Sequence, residues 1–342
     1  MNRSTLIGAW RASAVALALG MAHAHAVSDG NSAEVVQSGD GNNAEIRQGL
    51  DGSSNQTVRI FQGGDSLNTF VAIDQSGGDF NTASVEQLNE TDSRTEIFQV
   101  GARNLAGMVI GSGTVAGAGG SGNTNRISQT GNDHIAQVLQ TNLAGAGITL
   151  APQGVRVTQV GGDFNQAYVS QTGTGLAFDL IQSGFRNLVN ASAATSAPGT
   201  TPIILTGQSG TNSEAVLAQT GNDNRIDLGQ AGDGSSISAD QVGNLNTAEI
   251  SQTGNSDILV LSQTGASNEA YLSQLGDSNE AYVTQLGDAN QAYTTQVGSA
   301  NQAWVTQTGI GNVANIGQTG NANSAAVTQV GNNNTSFISQ GQ

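Results

Sequence analysis

Glutamine returns at Gln208, Gln219, Gln230, Gln241, Gln252, Gln263, Gln274, Gln285, Gln296, Gln307, Gln318, Gln329 and Gln340, twelve steps of 11 residues in succession. A run of this kind leaves only a repeat architecture. Most steps share the template Q-x-G-x-x-N-x-A-x-x-x-Q, as in Gln274-Leu-Gly276-Asp-Ser-Asn279-Glu-Ala281-Tyr-Val-Thr-Gln285. The asparagine slot holds Asn246, Asn268, Asn279, Asn290, Asn301, Asn312, Asn323 and Asn334. An 11-residue period also fits a right-handed helical coil, but glycine and asparagine in nearly every unit disfavour helix interiors. Gly-x-x-Asn is turn chemistry. The residues after it alternate, with Asn279, Ala281, Val283 and Gln285 on one side and Glu280, Tyr282 and Thr284 on the other. Period two marks a strand.

A seven-residue strand and a four-residue turn cannot bury a face alone, so successive units must stack. Two strands per coil give 22 residues per rung. The fold class expected is all-β: a β-solenoid with 11-residue half-coils, two parallel β-sheets and about 13 coils, on the order of 60 Å long at ~4.8 Å per rung. Small inward residues suit a thin core. Inward Gln and Asn then lie above their counterparts in the next coil, where each amide has both a donor and an acceptor to offer a ladder. The same design runs less regularly through the N-terminal part. Gln37 and Gln48, and Gln129 and Gln140, are 11 apart, whereas Gln75, Gln87 and Gln99 are 12 apart. Extra segments at 111–122, 141–147 and 194–201 read as loops leaving the solenoid at turns. Three regions are expected: a signal over 1–26, irregular repeats over 27–207 and regular repeats over 208–342.

The signal reading rests on Arg3 and Arg11, the apolar stretch Ala12 to Met21, and overlapping A-x-A sites within Ala22-His23-Ala24-His25-Ala26. That stretch is too short to span a bilayer, and no transmembrane segment is expected elsewhere. The mature chain is expected to begin near Val27 and to be secreted. With no cysteine in the chain, the fold is held without disulfides. Lysine is also absent, and the mature chain sets 8 Arg against 26 acidic residues, a net charge of −18. That balance argues against nucleic acid as a partner.

The template resembles the curlin repeat of curli fibre subunits, with Gln, Gly, Asn, Ala and Gln at matching spacing over most of 208–340 and more loosely over 31–190. The resemblance implies a two-strand-per-repeat β-solenoid that self-assembles end to end into functional amyloid fibres. It implies roles in cell adhesion and the biofilm matrix, at the bacterial cell surface. It also implies two partners besides the chain itself, a nucleator subunit and an outer-membrane secretion pore. The terminal repeat carries no basic cluster, which makes it main-subunit-like. Gln340-Gly341-Gln342 follows the last strand directly and reads as an open edge.

Residues that carry chemistry are sparse. His134 is the one histidine beyond the signal and occupies an asparagine slot; with no second His or Cys beside it, it reads as a turn substitution rather than a metal ligand or base. Gly117-Ala-Gly119-Gly-Ser-Gly122 matches GxGxxG but precedes no helix. Gly-Gly-Asp at 63–65, 77–79 and 161–163 lacks the nonapeptide spacing of calcium-binding repeats. No enzyme activity, cofactor or metal is expected. Tyr271 and Tyr293, and Tyr282 and Trp304, are 22 apart and stack on adjacent rungs, either as stabilising ladders or as a candidate surface-binding stripe. The alternative function is a monomeric secreted solenoid adhesin or carbohydrate- or surface-binding protein.

Overall fold

The computed structural model describes residues 21–26, 30–49, 53–64, 66–112, 123–142, 154–191 and 207–341. Most of the expected signal, the GxGxxG stretch and most of each extra segment lie outside the described residues. Among those described there is no helix, hence none long and apolar enough to cross a membrane. Twenty-seven strands, from β1 (Met21–Ala26) to β27 (Thr335–Gly341), wind between two parallel sheets of 13 and 14 strands. The expected all-β solenoid is therefore present. β1 falls inside the expected signal and pairs with β3 (Asn43–Gln48).

Register follows directly from the repeat. β22 (Glu280–Leu286) pairs with β24 (Gln302–Thr308) so that each residue faces the one 22 positions on: Ala281 faces Ala303, Val283 faces Val305, and Gln285 faces Gln307. Many strands turn an alanine and a branched aliphatic inward, as with Ala281 and Val283, and others two aliphatics, as with Leu259 and Leu261, all buried. The aliphatic centre is flanked by the buried Gln on one side and the buried Asn on the other, so amides close both margins of a thin core.

The turn joins the stack through its own backbone. Gly287 N–H donates to Thr264 O at 2.9 Å, and Ala289 N–H donates to Ala266 O at 2.8 Å. Gly287 has φ +114°, and a Cβ there would stand 2.1 Å from Gly309 O on the next rung. Glycine is required by that approach as much as by the dihedral.

One extra segment departs from expectation. β14 (Leu188–Ala191) and β15 (Gly207–Thr211) lie end to end on one rung, both pairing with β12 (Gln166–Thr174) and β17 (Arg225–Asp233). The insertion in the sequence therefore falls within the length of a strand, not at a turn. Each half-strand keeps an anchor of its own, buried Val189 in the first and ladder residue Gln208 in the second.

Candidate functional site

Over the regular repeats, the polar margins of the core form two hydrogen-bonded columns in each sheet. In the 13-stranded sheet, Gln219, Gln241, Gln263, Gln285, Gln307 and Gln329 each pass an Nε2–H to the next Oε1 at 2.8–2.9 Å. In the other sheet Gln208, Gln230, Gln252, Gln274, Gln296, Gln318 and Gln340 do the same at 2.7–3.0 Å. The second amide hydrogen crosses to the opposite sheet: Gln285 Nε2 donates to Glu269 O at 3.0 Å and Gln307 Nε2 to Gln291 O at 2.9 Å. One side chain thus ties rung to rung and sheet to sheet.

The asparagines run the other way. The backbone N–H of Asn268 donates to Asn246 Oδ1, Asn290 to Asn268, Asn312 to Asn290 and Asn334 to Asn312, all at 3.0–3.1 Å. Asn301 donates to Asn279 and Asn323 to Asn301 in the other sheet, at 3.1 and 3.0 Å. Glutamine Nε2 donors and asparagine Oδ1 acceptors face the C-terminal end of the rod, and glutamine Oε1 acceptors and the backbone N–H groups of the asparagine slots face its N-terminal end. The rod is chemically polar along its axis.

The family described as the curlin associated repeat matches residues 204–232, 259–287, 281–309, 287–320 and 311–341. The chain carries curlin-associated repeats. Its repeats are those of a structural, non-enzymatic family. No curated protein matches the chain.

The curlin-type ladders continue beyond the matched repeats. Gln48, Gln75, Gln99, Gln129, Gln159 and Gln182 lead without a break into Gln219. In the other sheet Ile110 takes the register position between Gln87 and Gln140. Gln87 Nε2 turns to Thr95 Oγ1 at 3.0 Å, and Gln140 Oε1 is left with no partner among the described residues.

A third column escaped sequence reasoning. The Asp or Asn directly after the turn glycine accepts the backbone N–H of the preceding rung: Asp277 Oδ1 from Asn255 at 2.8 Å, and Asp288 Oδ1 from Ala266 at 2.8 Å. The recurrent Gly-Asp and Gly-Asn pairs of the curlin repeats are its signal. Asp227 beside Glu249 on the adjacent rung is an apparent clash of charge. It is relieved by Arg225, whose Nε donates to Asp227 Oδ2 at 2.6 Å. Burial, and then Asp227, push the Glu249 carboxyl above its usual range.

The aromatic pairs lie on opposite sheets, Tyr271 with Tyr293 at 5.2 Å between ring centroids and Tyr282 with Trp304 at 6.2 Å. Interplanar angles of 2° and 6° turn the ring faces toward each other. Cross-rung stacking is what this geometry does directly, at roughly 0.5–1.5 kcal/mol per pair.

Among the described residues, two slots hold a titratable side chain in place of asparagine, His134 and Asp257. Buried His134 imitates it: Nδ1 accepts from the Asn165 N–H at 3.3 Å, Nε2 faces Thr130 O at 3.2 Å, and its own N–H donates to Asn104 Oδ1 at 3.0 Å. Burial holds the imidazole below its usual range, which keeps the neutral form these contacts need. No group of three or more metal-ligating side chains occurs among the described residues.

Asp257 imitates asparagine less well. Its Oδ1 accepts from Asn279 N–H at 2.8 Å, whereas Oδ2 has no partner among the described residues. Asn279 and Asn301 place an Nδ2 donor there, aimed at the carbonyls of Gly298 and Gly320 at 2.9 and 2.8 Å. Burial raises the Asp257 carboxyl; the Asn279 hydrogen bonds oppose this and Asp277 adds to it. A folded pKa above the unfolded one gives stability that is complete below the unfolded pKa and is lost as pH rises through the folded pKa. Asp257→Asn is therefore expected to gain about 1–2 kcal/mol at neutral pH and little in acid. Denaturant melts at the two pH values check this; an equal gain at both contradicts it.

Proposed function

We propose that the protein is an extracellular structural subunit that stacks end to end into curli-like functional amyloid fibres, serving cell adhesion and the biofilm matrix. The observation that carries the reading is the pair of oppositely directed amide columns. Through the regular repeats each rung satisfies its neighbour's Gln donors and the acceptors of the asparagine slot, and a rung without a neighbour leaves part of that set unsatisfied. A second subunit arriving head to tail supplies the missing partners. Two like ends meeting would set donor against donor, so fibres built this way are polar. Export through an outer-membrane pore after removal of residues 1–26, and initiation on a nucleator subunit, belong to the same reading. The outward Tyr271, Tyr282, Tyr293 and Trp304 would then recur along the fibre as a surface-binding stripe.

Purified mature chain is expected to polymerise after a lag that preformed seeds abolish, giving fibres with a meridional reflection near ~4.8 Å. Labelled subunits added to seeds are expected to extend them in head-to-tail orientation. Intact, folded chain that stays monomeric in the presence of its own seeds contradicts the reading.

A further inference from the structure

The turns leading from the 13-stranded sheet into the 14-stranded sheet carry an unusual ridge. Phe80, Arg103, Asp133, Phe164, Arg186, Asp223 and Leu245 hold one turn position on seven consecutive rungs. This is set by backbone bonds from each N–H to the preceding rung, such as Phe164 to Asn132 O at 3.1 Å and Leu245 to Asn222 O at 2.9 Å. All seven have positive φ, from 52° to 65°. Over the same part of the rod the described opposite turns hold Gly41, Asn68, Asp92, Gly175, Asn212 and Gly234 at this position, and farther along they hold only small residues, Ser256, Ser278, Ala300 and Ala322. A bulky residue there is conformationally costly. Phe80, Phe164 and Leu245 are nonetheless 59%, 49% and 57% exposed, so burial within the chain does not compensate.

The order along the ridge is apolar, Arg, Asp, apolar, Arg, Asp, apolar. Arg103 pairs with Asp133 through two contacts of 2.6 Å, and Arg186 with Asp223 at 2.6 and 2.7 Å. Rotation by a half-turn about Phe164 maps Phe80 onto Leu245, Arg103 onto Asp223 and Asp133 onto Arg186. The ridge is thus complementary to its own reverse: apolar meets apolar, and each ion pair meets an ion pair of opposite order. Parallel, in-register pairing would instead place Arg on Arg and Asp on Asp.

We propose that this ridge is a lateral interface at which a second copy of the chain pairs antiparallel about a two-fold axis through Phe164. Such an isologous contact closes at two copies. It is narrow, with apolar contacts three rungs apart, roughly 14 Å, so a single pair of rods binds weakly. The contact gains strength only where many rods are already aligned. It is independent of end-to-end stacking and brings rods of opposite direction side by side.

The chain contains no cysteine, so single introduced thiols report the contact directly. Full-length soluble chain, without seeds, would be oxidised and resolved on non-reducing gels, with circular dichroism confirming each variant folded. Phe164→Cys is expected to cross-link to itself. Phe80→Cys and Leu245→Cys are each expected to stay monomeric alone and to cross-link when mixed, an arm that keeps Phe164 intact. Asn212→Cys, on the opposite turn, sets the collisional background. Self-linking of Phe80→Cys at the level of the mixture overturns the antiparallel arrangement. Linking no greater than that of Asn212→Cys in both the Phe164 and the mixed arms overturns the interface itself. Either result leaves seeded elongation, and the stacking proposal, to be judged separately.

Discussion

Gly287→Ala is expected to destabilise the regular repeats by about 3–6 kcal/mol, combining a strained dihedral with an overpacked contact. The added Cβ would lie 2.1 Å from Gly309 O and 2.9 Å from its carbonyl carbon. Both atoms are backbone on the next rung, so no side chain can swing aside. The turn would have to open, and Asp288 would lose its hold on the Ala266 N–H. Nearest-neighbour coupling should keep the damage local, with hydrogen exchange rising around rungs 265–309 before the N-terminal coils respond. Gly317→Ala is the control. Gly317 sits on a strand with ordinary φ and has nothing within 4 Å of its would-be Cβ, so alanine there should be neutral or stabilise by about 0.4–1 kcal/mol. Equal effects at the two glycines would show that loss of glycine flexibility, not the rung-to-rung approach, decides the outcome.

That contrast marks what was legible in the residues alone. Twelve equal glutamine steps determine both the 22-residue coil and the parallel register, because only stacking can bury a face seven residues long. Alternation around Ala281 and Val283 assigns inside from outside for the same reason. Atoms whose partners lie a rung away at unequal spacing were harder to foresee. Gln182 and Gln219 are 37 residues apart yet bond at 2.9 Å, since β14 and β15, separated in sequence by residues 192–206, share a single rung between them. Asp277 reads in sequence as a charge to be kept from its neighbours, whereas its position after Gly276 makes it an acceptor for Asn255 N–H. The split rung at β14 and β15 was invisible for a related reason. An insertion between turns and one within a strand look alike until both halves are seen pairing with Arg225–Asp233.

Replacing Gln285 and Gln307 together by leucine is expected to cost more than replacing Tyr282 and Trp304 together by serine, although the aromatic change removes more side-chain volume. Both pairs sit on β22 and β24, one rung apart. The difference lies in what each leaves behind. Loss of Gln285 and Gln307 deprives Gln263 Nε2 of its 2.8 Å acceptor and Gln329 Oε1 of its 2.9 Å donor. The carbonyls of Glu269 and Gln291 lose donors as well. Leucine is close to glutamine in size but offers none of these bonds. At about 1–3 kcal/mol for each buried group left unsatisfied, partly offset by added apolar burial, the cost is on the order of 3–6 kcal/mol. The aromatic pair leaves no buried polar atom unpartnered; its loss amounts to roughly 0.5–1.5 kcal/mol of stacking plus some surface burial. Denaturant midpoints of the folded chain should therefore fall much further for the glutamine variant. Seeded elongation should slow with it, because an arriving subunit continues the same ladder. The aromatic variant should elongate near the wild-type rate and differ mainly in binding to surfaces. If the two double variants lose stability and elongation alike, the amide column is not what couples the rungs, and outward stacking must carry the coupling instead.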